Sequence, residues 1–470
     1  MKFHQQNPSD TRTGCSSPAA SSLPNKVIPP ISSLPAETLD IAKNKRPNYV
    51  LTVLFLVTML NFVDRQMISI LAEAIKRDMG LSDSQIGLMT GLSFALFYTT
   101  LAIPVAALAD RWNRSRIIAI AISIWSFMTI LCGVAVNFVQ LFVARIGVGV
   151  GEAGSSPASH SLIADLFPPE RRAGALGILG MSVPIGSFIA YTGGGWMVEN
   201  IGWRMAFVIA GIPGLFIAAL MWFTVPDPRG KPRLADAFKP KESETSLRTA
   251  ISELSRKPAY WHLVGAGIII SFVSYGLASF YAGLFVRVHG IGYTELGWKL
   301  GVMVAISGSG GAWIGGKVGD YLNVRMPAGS LLASAVILLA ATPGMYFAIY
   351  APSANIAFLL LAIPTFAFTF NYGPNFSTIQ LLASDQTRAL AMAIWLLFAG
   401  LFGLGLGPVF VGVVSDIFSG GAAEVEASSL QKALAILALF NIWGAFHFWR
   451  AQIRMKATLT KSDPDRPFQR

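Results

Sequence analysis

An aspartate and an arginine, Asp64 and Arg65, stand side by side in the apolar stretch Leu60-Asn61-Phe62-Val63-Asp64-Arg65-Gln66. A second pair, Arg145 and Glu152, lies in another apolar stretch. A charge in hydrocarbon costs about 2.5–3.5 kcal/mol even on insertion scales, so such groups persist where they line a pathway or neutralise one another. Two carboxylates and two guanidinium groups suit proton exchange. Burial raises a carboxylate's proton affinity and a nearby arginine lowers it, so a change of conformation that swaps these influences moves a proton. The plainer alternative is a salt bridge that locks two helices together.

Helical spacing brings these groups together. Asn61, Asp64 and Arg65 are three and four apart and share a face. Arg145 and Glu152 are seven apart, two turns along one side. Gly147, Gly149, Gly151 and Gly154 lie among them and let another helix or a ligand come close.

The elements that must carry the charges are transmembrane. Of 470 residues, 53% are hydrophobic and only 13% charged, with a mean hydropathy of +0.55. Soluble proteins carry about 25% charged residues. Twelve apolar runs near spanning length are expected, at 49–71, 85–108, 117–135, 138–162, 174–198, 204–225, 260–285, 297–320, 328–350, 355–380, 388–415 and 430–449. The fold class is therefore an all-α membrane protein with two six-helix halves. Expected boundaries are a disordered tail over 1–48, a first bundle over 49–225, an inter-domain loop over 226–258, a second bundle over 259–450 and a tail over 451–470.

Lys and Arg concentrate in the loops that face one side, which the positive-inside rule makes cytoplasmic, together with both termini. The formal net charge of +11 is then a topology signal, and no basic-aromatic nucleic-acid module accompanies it. Cys15 and Cys132 form no disulfide or zinc pattern. His160, His262, His289 and His447 are scattered without metal-ligand spacing. Gly311-Ala312-Trp313-Ile314-Gly315-Gly316-Lys317 begins like a phosphate-binding loop, but Val318 replaces the hydroxyl residue that would hold magnesium. No cofactor, metal or nucleotide is expected. An intramembrane enzyme would need a nucleophile or metal beside the carboxylates, and no such motif appears.

The two halves share a loop pattern. Ala106-Ala107-Leu108-Ala109-Asp110-Arg111-Trp112-Asn113-Arg114-Ser115-Arg116 follows the second run, and Gly316-Lys317-Val318-Gly319-Asp320-Tyr321-Leu322-Asn323-Val324-Arg325 follows the eighth. A weaker echo joins Pro168-Pro169-Glu170-Arg171-Arg172 to Ser384-Asp385-Gln386-Thr387-Arg388. These loops resemble those of the major facilitator superfamily, with Ala106 and Asn113 where that family often has glycine. The resemblance implies a gating role for Asp110 and Asp320, with Arg111, Arg114 and Arg172 as partners. Within the superfamily, Asn61-Phe62-Val63-Asp64-Arg65, the segment Arg145 to Ala153 and Leu166-Phe167-Pro168-Pro169-Glu170-Arg171-Arg172 resemble the Spinster group, whose eukaryotic members are associated with lysolipid and sphingolipid export.

That resemblance implies that the first and fourth runs line a central cavity, reached by alternating access about a midplane site. Asp64 and Glu152 would couple protons, with Arg65, Arg145 and Asn61 tuning them or binding substrate. The second half offers Tyr275, Tyr281, Asn371, Asn375 and Trp395, polar or aromatic but uncharged, beside Ser271, Ser274 and Tyr372. A cavity charged on one side and aromatic on the other suits an amphipathic ligand; helix packing accounts for the same aromatics. Pro184 and its glycines only partly resemble the antiporter motif, because Val183 precedes the proline. The expected function is proton-coupled secondary transport of a lipid-like or other amphipathic molecule across the inner membrane, by a monomer. A polyspecific drug/proton antiporter and an anion uptake symporter are the alternatives.

Overall fold

A bilayer offers no water to backbone N–H and C=O groups, so an apolar chain satisfies them within helices. A computed structural model describes residues 47–229, 247–326, 328–384, 386–420 and 426–462, and contains no strand among them. The expected N-terminal tail up to residue 46, most of the 226–258 loop, Asp385 and the last eight residues lie outside the described residues.

Helix α1 is Pro47–Met79. Helix α2, Asp83–Gly87, runs through a π turn at Leu88–Leu92 into α3, Ser93–Arg111. Then come α4 Arg114–Val134, α5 Phe138–Glu152, α6 Ser155–Leu166 and α7 Pro169–Thr224. A short α8, Leu247–Ser255, lies inside the stretch expected to be a loop. The second half holds α9 Pro258–Ser279, α10 Tyr281–His289, α11 Tyr293–Arg325, α12 Gly329–Ile349, α13 Ala354–Phe370 and α14 Tyr372–Leu382. Helix α15, Arg388–Phe398, passes through a π segment at Ala399–Gly405 into α16, Leu406–Ser419, and α17 is Glu426–Ser462. The last helix thus continues past residue 450, where a tail is expected.

Nine helices among the described residues are long and apolar enough to cross a membrane by length and composition. One of them, α7, breaks at Gly202, whose φ of 83° no β-branched or bulky residue adopts at low cost. It is two rods in one chain segment. The bent α5–α6 pair and the 33-residue α11 are further rods of spanning length, so six rods precede and six follow residues 230–246. Start signals are local. Ser82 and Gln85 form a reciprocal capping box, and Asn113 and Asn137 accept from the backbone N–H three residues on.

Because the rods alternate in direction, the turns gather at two ends. Residues 80–82, 290–292 and Gly420 lie at one end; residues 112–113, 225–229, 383–384 and 386–387 lie at the other. The halves meet near the first end. There α2 and its π turn pack on α16, where a methyl on Gly87, Gly91 or Gly412 would strike the backbone of Pro408, Gly405 or Asp83. In the same way α7 packs on α11, where Gly195 and Gly297 face the backbones of Tyr293 and Tyr191. Toward the second end the same helices separate: Gly174, Gly177 and Gly180 of α7 and Gly316 of α11 face open space.

Candidate functional site

Helix α1 puts Asn61 and Asp64 on its buried side, and Arg65 beside them. Helix α5 contributes Arg145 and Glu152, and with Asn61 and Asp64 these are at most 4% exposed. The spacing that predicts one charged cluster from two spans therefore holds in three dimensions. Arg65 Nη2 lies 2.8 Å from Glu152 Oε2, an ion pair between residues 87 apart in the chain. Asp64 has Glu152 and Arg145 as its electrostatic neighbours.

Aromatic faces surround the arginine. The Arg65 guanidinium carbon sits 5.3, 4.9 and 4.4 Å from the ring centroids of Phe62, Phe94 and Tyr98, and that of Arg145 lies 5.6 Å from Phe94. Ring quadrupoles favour a cation there and more so when water is excluded. Phe94 and Tyr98 stack at 5.0 Å. Sequence reasoning missed both, although an aromatic pair four apart on the second span was there to be read. From the other half, the Tyr275 hydroxyl joins Tyr98 as an electrostatic neighbour of Arg65.

Unlike most buried polar groups, these are incompletely satisfied. Asp64 Oδ1, Glu152 Oε1, Asn61 Nδ2 and the Nε atoms of Arg65 and Arg145 are buried without a hydrogen-bond partner. Native proteins leave few such atoms, and each calls for an explanation such as a chemical role. A proton on Glu152 would remove the charge that Arg65 faces at 2.8 Å.

The residues expected from the second half divide. Asn371 donates to the Ala367 carbonyl at 2.7 Å, but its Oδ1 and that of Asn375 are buried and unpartnered. Tyr372 is 44% accessible in mid-chain of its rod and has Tyr275 as an electrostatic neighbour. Tyr281 pairs with Thr365 at 3.5 Å. Trp395 donates its indole N–H to the Leu263 carbonyl at 3.2 Å and packs edge-on against Phe376. That indole is a packing element between α9 and α15, as the alternative reading of the aromatics has it.

Of the residues expected to gate, Arg114 and Arg172 pair within their own half. Arg114 is fully buried and holds Asp227 at 2.7 Å and Asp165 at 2.8 Å, both in its own half. Burial alone raises the Asp227 carboxyl, but the hydrogen bonds from Arg114 outweigh it and hold that carboxyl below the ordinary carboxylate value. Arg114 fastens the end of α7 to the start of α4. Arg172 donates to the Phe167 carbonyl of its own loop at 3.0 Å. Arg111 ends α3 and Asp320 is exposed on α11. Asp110 lies in the last turn of α3.

What does bridge the halves is a second ionic cluster, at the closed end. Arg287 of α10 reaches Glu73 of α1 at 2.7 Å and both Asp83 oxygens at 2.7 and 2.8 Å. Lys76 lies 3.0 Å from Asp83 and 3.1 Å from Glu426 of α17. Asp416 of α16 accepts from the Asp83 and Ser84 backbone N–H groups at 3.0 and 2.8 Å, capping the second rod from the opposite half. Glu199 of α7 returns the arrangement, accepting from the Thr294 N–H of α11 at 2.7 Å. Each half thus supplies a carboxylate to a helix start of the other, where the exposed N–H groups and the helix dipole favour an anion. Sequence reasoning missed this latch, because charges flanking an apolar run read as ordinary membrane boundaries.

Residues 54–408 match the family model for the Major Facilitator Superfamily. An MFS-type efflux pump of Mycolicibacterium smegmatis is 33% identical over 405 residues, 86% of this chain and 92% of that protein. Protein spinster homolog 1 of Xenopus tropicalis is 26% identical over 420 residues, 85% of this chain and 79% of that one. Among solved structures, a bacterial homolog of the human lysosomal transporter Spinster, in an inward-facing and unoccupied conformation, superposes with a TM-score of 0.76 at 32% identity. That match covers 87% of this chain and 97% of the other. The chain belongs to the major facilitator superfamily and is a Spinster-like membrane transporter.

Proposed function

We propose that the protein is a proton-coupled secondary transporter that moves a lipid-like amphipathic molecule by alternating access. The observation that carries this reading is the Arg65–Glu152 pair, buried between two rods with Asp64 beside it and with unpartnered atoms on every member. Asp64 and Glu152 take and release protons; Arg65 and Arg145 hold whichever anion is present, carboxylate or substrate headgroup. Asn61, Tyr275, Asn371 and Asn375 offer the remaining polar contacts, and Tyr372 with its stacked neighbour Phe376 offers an apolar wall. The likeness to spinster proteins, the group whose eukaryotic members are associated with lysolipid and sphingolipid export, supports a lipid-like cargo.

The surplus of Lys and Arg near the second end supports an inner-membrane protein with both termini cytoplasmic. The latch is then on the outer face, and the separated ends of α7 and α11 open to the cytoplasm. In the opposite state the gating role passes to Asp110 and Asp320 with Arg111 and Arg172, while Arg114 stays with Asp227. The chain acts as a monomer in this scheme.

The test is flux of a labelled lysophospholipid into proteoliposomes under an imposed pH gradient, wild type beside Asp64→Asn. Flux that follows the gradient and disappears in the variant supports the proposal. Gradient-driven flux unchanged in the variant removes Asp64 from coupling. A second reading, a drug/proton antiporter, draws on the efflux pump relative. Lipophilic cations carried in place of lysolipids would select it.

A further inference from the structure

A third cluster lies far from both the site and the latch. His262, one turn into α9, meets His447 of α17 with their Nδ1 atoms 3.1 Å apart. Two ring nitrogens at that distance share one proton, since two N–H groups would oppose each other. Their neighbours make the place more cationic: Arg450 and Arg454 are electrostatic neighbours of His262. Among the described residues Arg450 makes no ion pair with a carboxylate, and it is only partly exposed. A metal ion is a poor occupant of such a place, because two guanidinium groups repel it.

The surroundings point to a lipid. Trp261, Trp443 and Trp449, 36%, 51% and 46% exposed, lie on the same two helices, and the Trp443 ring is 5.9 Å from His447. Indole rings collect at the headgroup level of a bilayer, where one edge is apolar and the other wet. Two rods therefore join here in a seam of imidazole and guanidinium groups flanked by interfacial aromatics. Basic seams between transmembrane helices bind anionic headgroups, and each cation near such a surface contributes about 1 kcal/mol.

We infer that the seam of His262, His447 and Arg450 between α9 and α17 is a binding site for the phosphate of an anionic membrane phospholipid, separate from the transport site. The phosphate oxygens accept from the imidazole and guanidinium N–H groups and relieve their mutual repulsion, and the acyl chains lie along the exposed tryptophans. A bound lipid then bridges the first and last rods of the second half. It is a resident of the protein's rim, and its presence does not depend on what the central cavity carries.

The experiment is native mass spectrometry of the full-length protein released from mixed micelles, with phosphatidylglycerol and phosphatidylcholine supplied in equal amounts. Wild type is expected to retain phosphatidylglycerol in preference to phosphatidylcholine. Arg450→Gln is expected to lose about fivefold of that preference, the equivalent of one cation. Arg450→Lys should retain most of it, and Lys432→Gln, which removes a cation seated over the Phe418 ring, should change nothing. Equal retention of both lipids by wild type, or undiminished preference in a monodisperse Arg450→Gln protein, would overturn the inference. So would inorganic phosphate competing as well as phosphatidylglycerol, because the seam would then be an ion site and not a lipid site. If Arg450→Gln does not fold, His447→Gln in the same assay decides, with the same outcomes.

Discussion

Two buried ionic clusters occupy the same first helix and are built on opposite terms. In the latch, Asp83 takes two hydrogen bonds from Arg287, one from Ser415 and the charge of Lys76, and Glu73 is held by both Arg287 and Arg77. Two turns before Glu73, the central cluster leaves one oxygen of Asp64, one of Glu152 and an Nε of each arginine unpartnered. Burial does not separate the two, since members of both are below 10% exposed. Satisfaction does. A fully paired network in low dielectric holds one geometry, because removing any member strands the others. An under-paired one has spare capacity for a proton or a ligand. The first is suited to fixing a conformation and the second to exchanging its partners.

The sharpest way to break the comparison is Arg287→Gln. It removes the cation that Glu73 and Asp83 share across the halves, leaving each only its partners Arg77, or Lys76 and Ser415, and breaking a buried pair from one side costs about 3–5 kcal/mol. That is enough to shift a two-state population by about two to four orders of magnitude. Spin labels at Val136→Cys and Ser353→Cys, exposed in turns of the two halves at the closed end, should move apart in this variant. An unchanged distance distribution would show that glycine packing, not charge, holds the end shut.

Glu152→Gln should act differently and more weakly on stability. Arg65 keeps its three aromatic faces and its tyrosine neighbours, so the loss is that of one charged hydrogen bond, about 1.5–3 kcal/mol. The labels at the closed end should stay near their wild-type distance, while flux driven by a pH gradient disappears. Equal opening in Glu152→Gln and Arg287→Gln would merge the two clusters into one structural device.

Gly297→Ala tests the packing beneath the latch without touching a charge. Its methyl would meet the Tyr191 carbonyl, and overpacking of this kind costs about 1–3 kcal/mol. A partial increase in the same label distance is expected. No increase would mean that α7 and α11 adjust locally.

Much of the central cluster was legible because a charge inside an apolar run is conspicuous, and helical spacing then puts Asp64 beside Arg65 and Glu152 two turns from Arg145. The all-helical membrane fold was legible for the same reason, from runs of apolar residues. Partnership across the chain was not. Arg287 and Glu73 are 214 residues apart, and each alone reads as a membrane-boundary charge. Arg114 looked like a gate because it follows a family loop pattern, yet Asp227, at the end of another rod, takes it. For Trp395 the sequence left cavity and packing roles equally open, and what it did not report is that Gly267 stands opposite and leaves the space that the ring fills. Periodicity reports which face a residue is on. It does not report what stands opposite.

The smallest effect separates pairing from burial. Glu253 of α8 is paired as fully as the latch, by Lys257 at 2.6 Å, by Thr387 and Ser384 hydroxyls at 2.7 and 2.9 Å and by the Ser384 N–H at 3.1 Å, but it stands in solvent reach. The Lys257 ammonium and the Thr387 hydroxyl hold its carboxyl at about 2, against an ordinary 4.5. A depressed carboxyl contributes its stability in full above the unfolded value and loses it as pH falls through the folded one. The clamp on the turn between α14 and α15 should therefore weaken between pH 4.5 and about 2. In Glu253→Gln that part of the acid dependence of thermal unfolding should vanish, and stability near neutral pH should fall slightly. Solvent screens an exposed pair, so the change should be well below that of Arg287→Gln. A loss as large as the latch variant's would mean that the number of partners alone, and not their removal from water, sets the strength of these clusters.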